Sequence, residues 1–186
     1  MIRTSSSYCH RGGEPPLLGA TIPAHFHWIV ERFPDHEAAV SVPQGRRLSY
    51  WELAAAVDRL ARGLVGLGFA RGERIGIWST NNLEWLMLQL ATARIGAVLV
   101  NINPAYRPRE LSYALQRAEV QGLFAIPAFR GSDYLAMLRE LIPGLDRDPW
   151  DRLRAPGLPH LRRVVIYDPA APERTARPGP GFAVWA

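Results

Sequence analysis

The sequence predicts an α/β layered domain: a parallel sheet with helices on both faces. Three observations lead there. Short apolar runs recur along the chain: RIGIW at 74–78, AVLVNI at 97–102, GLFAI at 122–126 and RRVVIY at 162–167. Each is apolar at successive rather than alternate positions, as a strand buried on both faces must be. The stretches between them carry apolar residues at helical spacing behind good capping residues, and strands joined through single helices pair in parallel.

The elements follow in order. Residues 1–20 are polar and broken by Gly12-Gly13 and Pro15-Pro16, so they read as an irregular tail. Thr21 can cap a helix from about Pro23 to Phe33, which Pro34 stops. AAVSV and RRLSY flank Pro43-Gln44-Gly45, a hairpin pattern. Ser49 and Glu52 have the spacing of a capping box, and the helix behind them puts Leu53, Val57, Leu60 and Leu64 on one stripe.

After the RIGIW strand, Asn81 is the expected cap of a helix over 82–95. Leu83, Leu86, Met87, Leu88 and Leu90 make that helix apolar nearly all round, so it should lie buried until Gly96 ends it. Pro108 fits a first helical turn, with Leu111, Leu115 and Ala118 facing inward. Ser132 is the expected cap of a helix carrying Leu135, Leu138 and Leu141. A Pro/Gly/Asp-rich loop then leads to RRVVIY as the last strand. One domain therefore spans 21–168. Residues 169–186 read as an irregular tail, although Phe182, Val184 and Trp185 look like the start of another element.

Composition narrows the function classes. The 186 residues suit one domain, and 48% hydrophobic with 21% charged residues is a globular balance. No apolar run approaches the roughly 20 residues of a membrane span. All 22 basic residues are arginine, which excludes a P-loop lysine, Schiff-base chemistry and a lysine base within these residues. The net charge of +5 is scattered among acids rather than clustered in a stripe, which argues against nucleic acid. Cys9 is the only cysteine, so there is neither a disulfide framework nor a cysteine-based zinc site. Arg3, Arg11 and three serines faintly resemble a transit peptide, but a frayed terminus is the plainer reading. Arginine in place of lysine suits a GC-rich bacterium; the expected location is cytoplasmic, with a mitochondrial location as the alternative.

Loops at the carboxyl ends of parallel strands are where such folds bind ligands. Here they are Ser79-Thr80-Asn81, Asn103-Pro104-Ala105-Tyr106-Arg107, Phe129-Arg130-Gly131 and Asp168. They supply amides, a phenol and arginines, but no nucleophile beside a base. Gly66 to Gly72 imitates a dinucleotide fingerprint, yet it follows a helix and precedes a strand, so it reads as a helix C-cap. His25 and His27 lie two apart on a helix and so point to different sides. Cys9-His10 falls in the tail, and no G-x-S-x-G elbow occurs. No catalytic residue and no metal ligand is expected.

The stretch from LSYWELAAAVDRLARGLVGLGF through RIGIWSTNNLEWLMLQLATARIGAVLVNINPAYRPREL, with PLLGATIPAHFHWIVERFPDHEAAV before it and LRRVVIYD after it, resembles the N-terminal part of AMP-forming acyl-CoA synthetases. LVNINPAYRPREL leans toward their medium- and long-chain fatty-acid branch. The resemblance covers nearly the whole chain and implies a partial N-terminal subdomain of the adenylating-enzyme fold. Such enzymes form an acyl-adenylate from a fatty acid and ATP with Mg2+, then pass the acyl group to coenzyme A. The family's phosphate-binding signature, [ST]-S-G-[ST]-T-G-x-P-K, does not occur in these residues. The expectation is therefore a fragment of a ligase, inactive alone, that binds neither ATP nor another cofactor by itself. By resemblance, Trp85, Asn103, Tyr106 and Arg107 are candidates for the wall of the acyl pocket. The intact enzyme could be a homo-oligomer, and its partner is a fatty acid. The alternative is a truncated paralogue serving as a non-catalytic interaction module. A small nucleotide-binding domain of unrelated family is disfavoured by the missing phosphate loop.

Overall fold

The computed structural model describes residues 18–171 and 176–185. Cys9-His10, Gly12-Gly13 and the arginines at 3 and 11 lie outside the described residues. Helix α1 (Ile22–Arg32) opens at Thr21, whose Oγ1 accepts the Ala24 N–H at 3.3 Å. Strands β1 (Glu37–Ser41) and β2 (Arg46–Ser49) form the expected antiparallel hairpin, turning through Gly45 at φ 60°. Helix α2 (Tyr50–Gly66) carries a true capping box. The Glu52 N–H donates to Ser49 Oγ at 3.2 Å, and the Ser49 N–H donates to the Glu52 carboxylate at 2.8 Å. Its inner stripe is Leu53, Val57, Ala61 and Leu64, while Leu60 is half-buried.

The layered part follows as β3 (Arg74–Trp78), α3 (Leu83–Ile95), β4 (Val98–Ile102), α4 (Pro108–Arg117) and β5 (Gly122–Ala125). A two-rung hairpin, β6 (Ala128–Phe129) and β7 (Ser132–Asp133), precedes α5 (Tyr134–Leu141). Two 3-10 turns, Pro143–Asp146 and Trp150–Arg152, then lead to β8 (Arg163–Ile166) and β9 (Phe182–Val184). Among the described residues the main sheet has five strands in the order β4-β3-β5-β8-β9, all parallel. The chain steps one way from β3 to β4 and back the other way to β5. Right-handed crossovers therefore put α3 and α4 on opposite faces. Helices α1, α2 and α3 pack on one face, α4 and α5 on the other. Leu64, Ile75, Leu88, Leu111, Leu123 and Val164 are all fully buried between them. Among the described residues no helix is long and apolar enough to cross a membrane.

Four local expectations need correction. The cap of α3 is Asn82, not Asn81: the extended residue whose Oδ1 meets the Trp85 N–H, at 2.8 Å, lies one position later. The cap of α5 is Asp133, not Ser132. Arg130 and Gly131 both take positive φ (44° and 78°), which folds a tight turn, pairs Ser132 with Phe129 and leaves the capping position to Asp133. Helix α3 is not buried all round, since Gln89 and Arg94 are exposed. The segment after Pro169 is not irregular throughout: Phe182–Val184 is a fifth strand beside β8, so RRVVIY is not the last.

Candidate functional site

The carboxyl edge of the sheet gathers polar side chains that lie far apart in sequence. Where β3 ends, Ser79 turns inward and is buried. Asn82 donates from Nδ2 to Ser79 Oγ at 2.9 Å and to the Thr80 carbonyl at 3.0 Å, while its Oδ1 caps α3. The hairpin turn between β1 and β2 leans over this point. Gln44 accepts the Leu83 N–H at 2.9 Å, a second cap for α3. Its Nε2 donates to Glu84 at 2.8 Å and to the Pro169 carbonyl at 3.0 Å. Glu84 is 4% exposed and also pairs with Arg46 at 3.1 Å, so the buried carboxylate is neutralised and hydrogen-bonded on both oxygens.

Tyr167, the residue after β8, completes the group. Burial pushes its phenol up to about 12, so it stays neutral and hydrogen-bonding at physiological pH. Its hydroxyl lies 3.5 Å from Asn82 Oδ1, and its ring lies 5.2 Å from that of Trp185. Together Gln44, Arg46, Arg59, Glu84, Tyr167 and Trp185 line a cleft of about 890 Å³. That is a volume typical of small-molecule sites, at the end of the sheet where such sites lie.

The Asn103–Arg107 loop sits at the same end and is pinned from within. Trp78 donates from Nε1 to the Asn103 carbonyl at 3.2 Å. The Trp78 ring lies flat on Tyr134 at 3.5 Å, and Tyr134 donates its hydroxyl to the Pro104 carbonyl at 2.5 Å. Asn103 Oδ1 accepts the Ala105 N–H at 2.9 Å, an Asx turn. Arg107 is exposed, and its N–H donates to Glu110 at 3.2 Å. Tyr106 is half-buried and lines a groove of about 610 Å³ with Val100, Tyr113 and Ala114. Trp85 is half-buried on α3, on the face of the sheet opposite α4. The structure thus brings Asn103, Tyr106 and Arg107 together in one loop and places Trp85 apart from them.

Sequence reasoning missed Gln44, Glu84 and Tyr167. A signal existed for one of them: Glu84 is the only acid of α3 and stands among its leucines, a position where a charge must find a partner. The chemistry this arrangement can do is limited. Glu84 is engaged by Arg46 and Gln44, and among the described residues no three His, Cys, Asp or Glu side chains gather around a common point. Gly68, Gly72 and Gly96, the left-handed glycines around α2 and α3, follow helices rather than open them, so they build no phosphate cradle.

The sequence pattern of the family described as AMP-binding enzyme matches residues 26–177. The chain belongs to that family. Among curated relatives, the mitochondrial medium-chain acyl-CoA ligase ACSF2 of Danio rerio is 34% identical over 90% of this chain and 28% of its own length. The ACSF2 of Homo sapiens is 34% identical over 89% and 27%. The chain therefore spans about a quarter of the length of these curated relatives. Among solved structures, the N-terminal subdomain of NpsA from Klebsiella oxytoca, in complex with 3-hydroxyanthranilyl-AMSN, superimposes with a TM-score of 0.54. It is 30% identical over 56% of this chain and 26% of that one. A protein of Rhodopseudomonas palustris described as a long-chain-fatty-acid CoA ligase has the same fold, with a TM-score of 0.67 at 23% identity over 89% of this chain and 35% of that one.

Proposed function

We propose that these residues form the N-terminal part of an acyl-CoA ligase that activates a fatty acid, of medium chain length by its relatives, through an acyl-adenylate. The observation that carries this reading is the match of 90% of the chain to a medium-chain acyl-CoA ligase at 34% identity. The carboxyl-edge cleft supports it, since its polar groups are held by one another and leave a shaped, rigid wall. In this reading the described residues bind and frame, while ATP, magnesium and coenzyme A are handled by groups other than these. Trp85, Asn103, Tyr106 and Arg107 contribute to the surroundings of the acyl chain. The 186 residues by themselves release no pyrophosphate from ATP and a fatty acid.

The test is a chimera in which this chain replaces the matching segment of the Danio rerio ligase, assayed for octanoyl-CoA formation. Retained activity is expected. A folded but inactive chimera overturns the reading, as does ATP- and fatty-acid-dependent pyrophosphate release by the 186-residue chain alone. Tyr106→Ala in the active chimera should shift its chain-length preference, and an unchanged preference removes Tyr106 from the acyl wall.

A further inference from the structure

Among the described residues strand β4 ends the sheet and hydrogen-bonds only to β3, so one side of Val98–Ile102 faces outward. The Val98 N–H donates to the Glu73 carbonyl beside β3 at 2.8 Å. By strand alternation the amides of Leu99 and Asn101 point away from the sheet. The strand carries no proline, charge or bulge, the devices that normally blunt such an edge. Alongside it lies the groove whose wall includes Val100, Glu110, Tyr113, Ala114 and Arg117. Tyr113 is 68% exposed there, and among the described residues Arg117 joins no ion pair.

We propose that two copies of this chain pair antiparallel through β4, with a two-fold axis at Val100 and the two α4 helices side by side across it. On the strand, an axis at Val100 sets Leu99 against the partner's Asn101, and the outward amides of both copies then pair. On the helices, the antiparallel register sets Glu110 against the partner's Arg117 and Tyr113 against the partner's Ala114. Both helix pairs are symmetric about the point between Tyr113 and Ala114, and those two residues share the groove with Val100. A two-fold interface must be self-complementary, and this register meets Glu110 with the partner's Arg117 and Tyr113 with the partner's Ala114, twice, while Arg109 of the same groove meets the partner's Ala118. Those matched pairs favour a second copy over an unrelated strand as the occupant. The inference concerns this chain's own edge and does not rest on the ligase reading.

Sedimentation velocity of the 186-residue chain, from low to high micromolar concentration at physiological salt, is the test. The expected species has twice the monomer mass of 20.8 kDa. Asn101→Pro removes an outward N–H while leaving the ladder to β3 intact, and should give a monomer with unchanged far-UV circular dichroism. Arg117→Glu turns both ion pairs repulsive and should weaken the dimer about tenfold. The double variant Glu110→Arg/Arg117→Glu should restore it. A monomer at every concentration overturns the proposal. So does an assembly indifferent to both Asn101→Pro and the charge swap. Where Asn101→Pro fails to fold, the charge swap alone decides.

Discussion

The two ends of the parallel sheet are held by different chemistry. At the amino end, charged side chains clamp the loops. Arg162 forks onto both oxygens of Glu73, at 2.7 and 2.6 Å, and reaches the Gly68 carbonyl at 2.7 Å. Arg74 pairs with Glu119, and its N–H donates to Gln121 at 2.6 Å. At the carboxyl end the fasteners are mostly amides, phenols and indoles, with one ion pair, Arg46 on the buried Glu84, and they surround a cleft. Ion pairs at a half-exposed rim close it at little gain in stability. Buried neutral hydrogen bonds and stacked rings can instead stiffen the wall of a cavity without filling it. The end that closes is structural, and the end that stays open carries the candidate site.

The strongest way to break this comparison is Trp78→Ala. Trp78 is fully buried, lies on Tyr134 and holds the Asn103 carbonyl, so its loss should cost about 3–5 kcal/mol in urea unfolding. Tyr134→Phe keeps the stack and loses one hydrogen bond, for a cost of about 1 kcal/mol. If Trp78→Ala cost no more than Tyr134→Phe, the carboxyl end would not be the preorganised one.

Next in size is an alkaline limb. Burial pushes both Tyr134 and Tyr167 from the ordinary 10.0 up to about 12. A phenol raised in the folded state contributes stability that is whole below the unfolded value and lost as pH climbs toward the folded one. Stability should therefore fall between about pH 10 and pH 12. The limb is readable because the chain has no lysine to titrate there and arginine stays charged. Tyr167→Phe should flatten it by on the order of 2 kcal/mol across that window, checked by unfolding at each pH. A limb of unchanged slope would mean that Tyr167 is not shielded as the structure has it.

The layers were legible in the sequence because buried parallel strands must be apolar at successive positions, and β3, β5 and β8 are, after the arginines that open β3 and β8. The capping box of α2 was equally plain, since its two partners lie three residues apart. What escaped was set by distant contacts. Strand β9 is three residues long behind glycines and prolines, and it exists because β8 offers a free edge. The Gly181 N–H also ties it to the Leu145 carbonyl at 2.9 Å. At the candidate site, the Asn103 loop could be found from its place after a strand. Gln44 and Tyr167 could not, because roughly forty or more residues separate each from Glu84 and no spacing rule links them, and Glu84 left only the signal of a lone acid in α3.

A smaller effect sharpens the amino end. Gly122 opens β5 directly beneath Phe69, where an added Cβ would sit 2.2 Å from a ring carbon. The ring is itself buried against Phe124 and covered by Arg162. Gly122→Ala should therefore cost about 1–3 kcal/mol, seen as a lowered urea midpoint at unchanged slope. Should the variant unfold like the parent, Phe69 is free to swing outward and the amino end is looser than its ion pairs suggest.

The smallest expected effect separates the two ends by sign. The Arg162 guanidinium beside Glu73 holds its carboxyl below the ordinary 4.5, against some opposing desolvation, with help from the Ala70 N–H and from Arg74. A carboxyl lowered in the folded state contributes stability that is present above its unfolded value and lost as pH falls through its folded one. Glu73→Gln should therefore cost less than about 1 kcal/mol near neutrality, because the pair is only partly buried. The gap between parent and variant should close below about pH 4.5, while the alkaline limb stays as it was. The opposite pairing of results, an alkaline change from Glu73→Gln or an acid change from Tyr167→Phe, would show that the two ends are coupled through the sheet. Each would then owe its stability to the other, and the open cleft would be braced by the clamp at the far end of the strands.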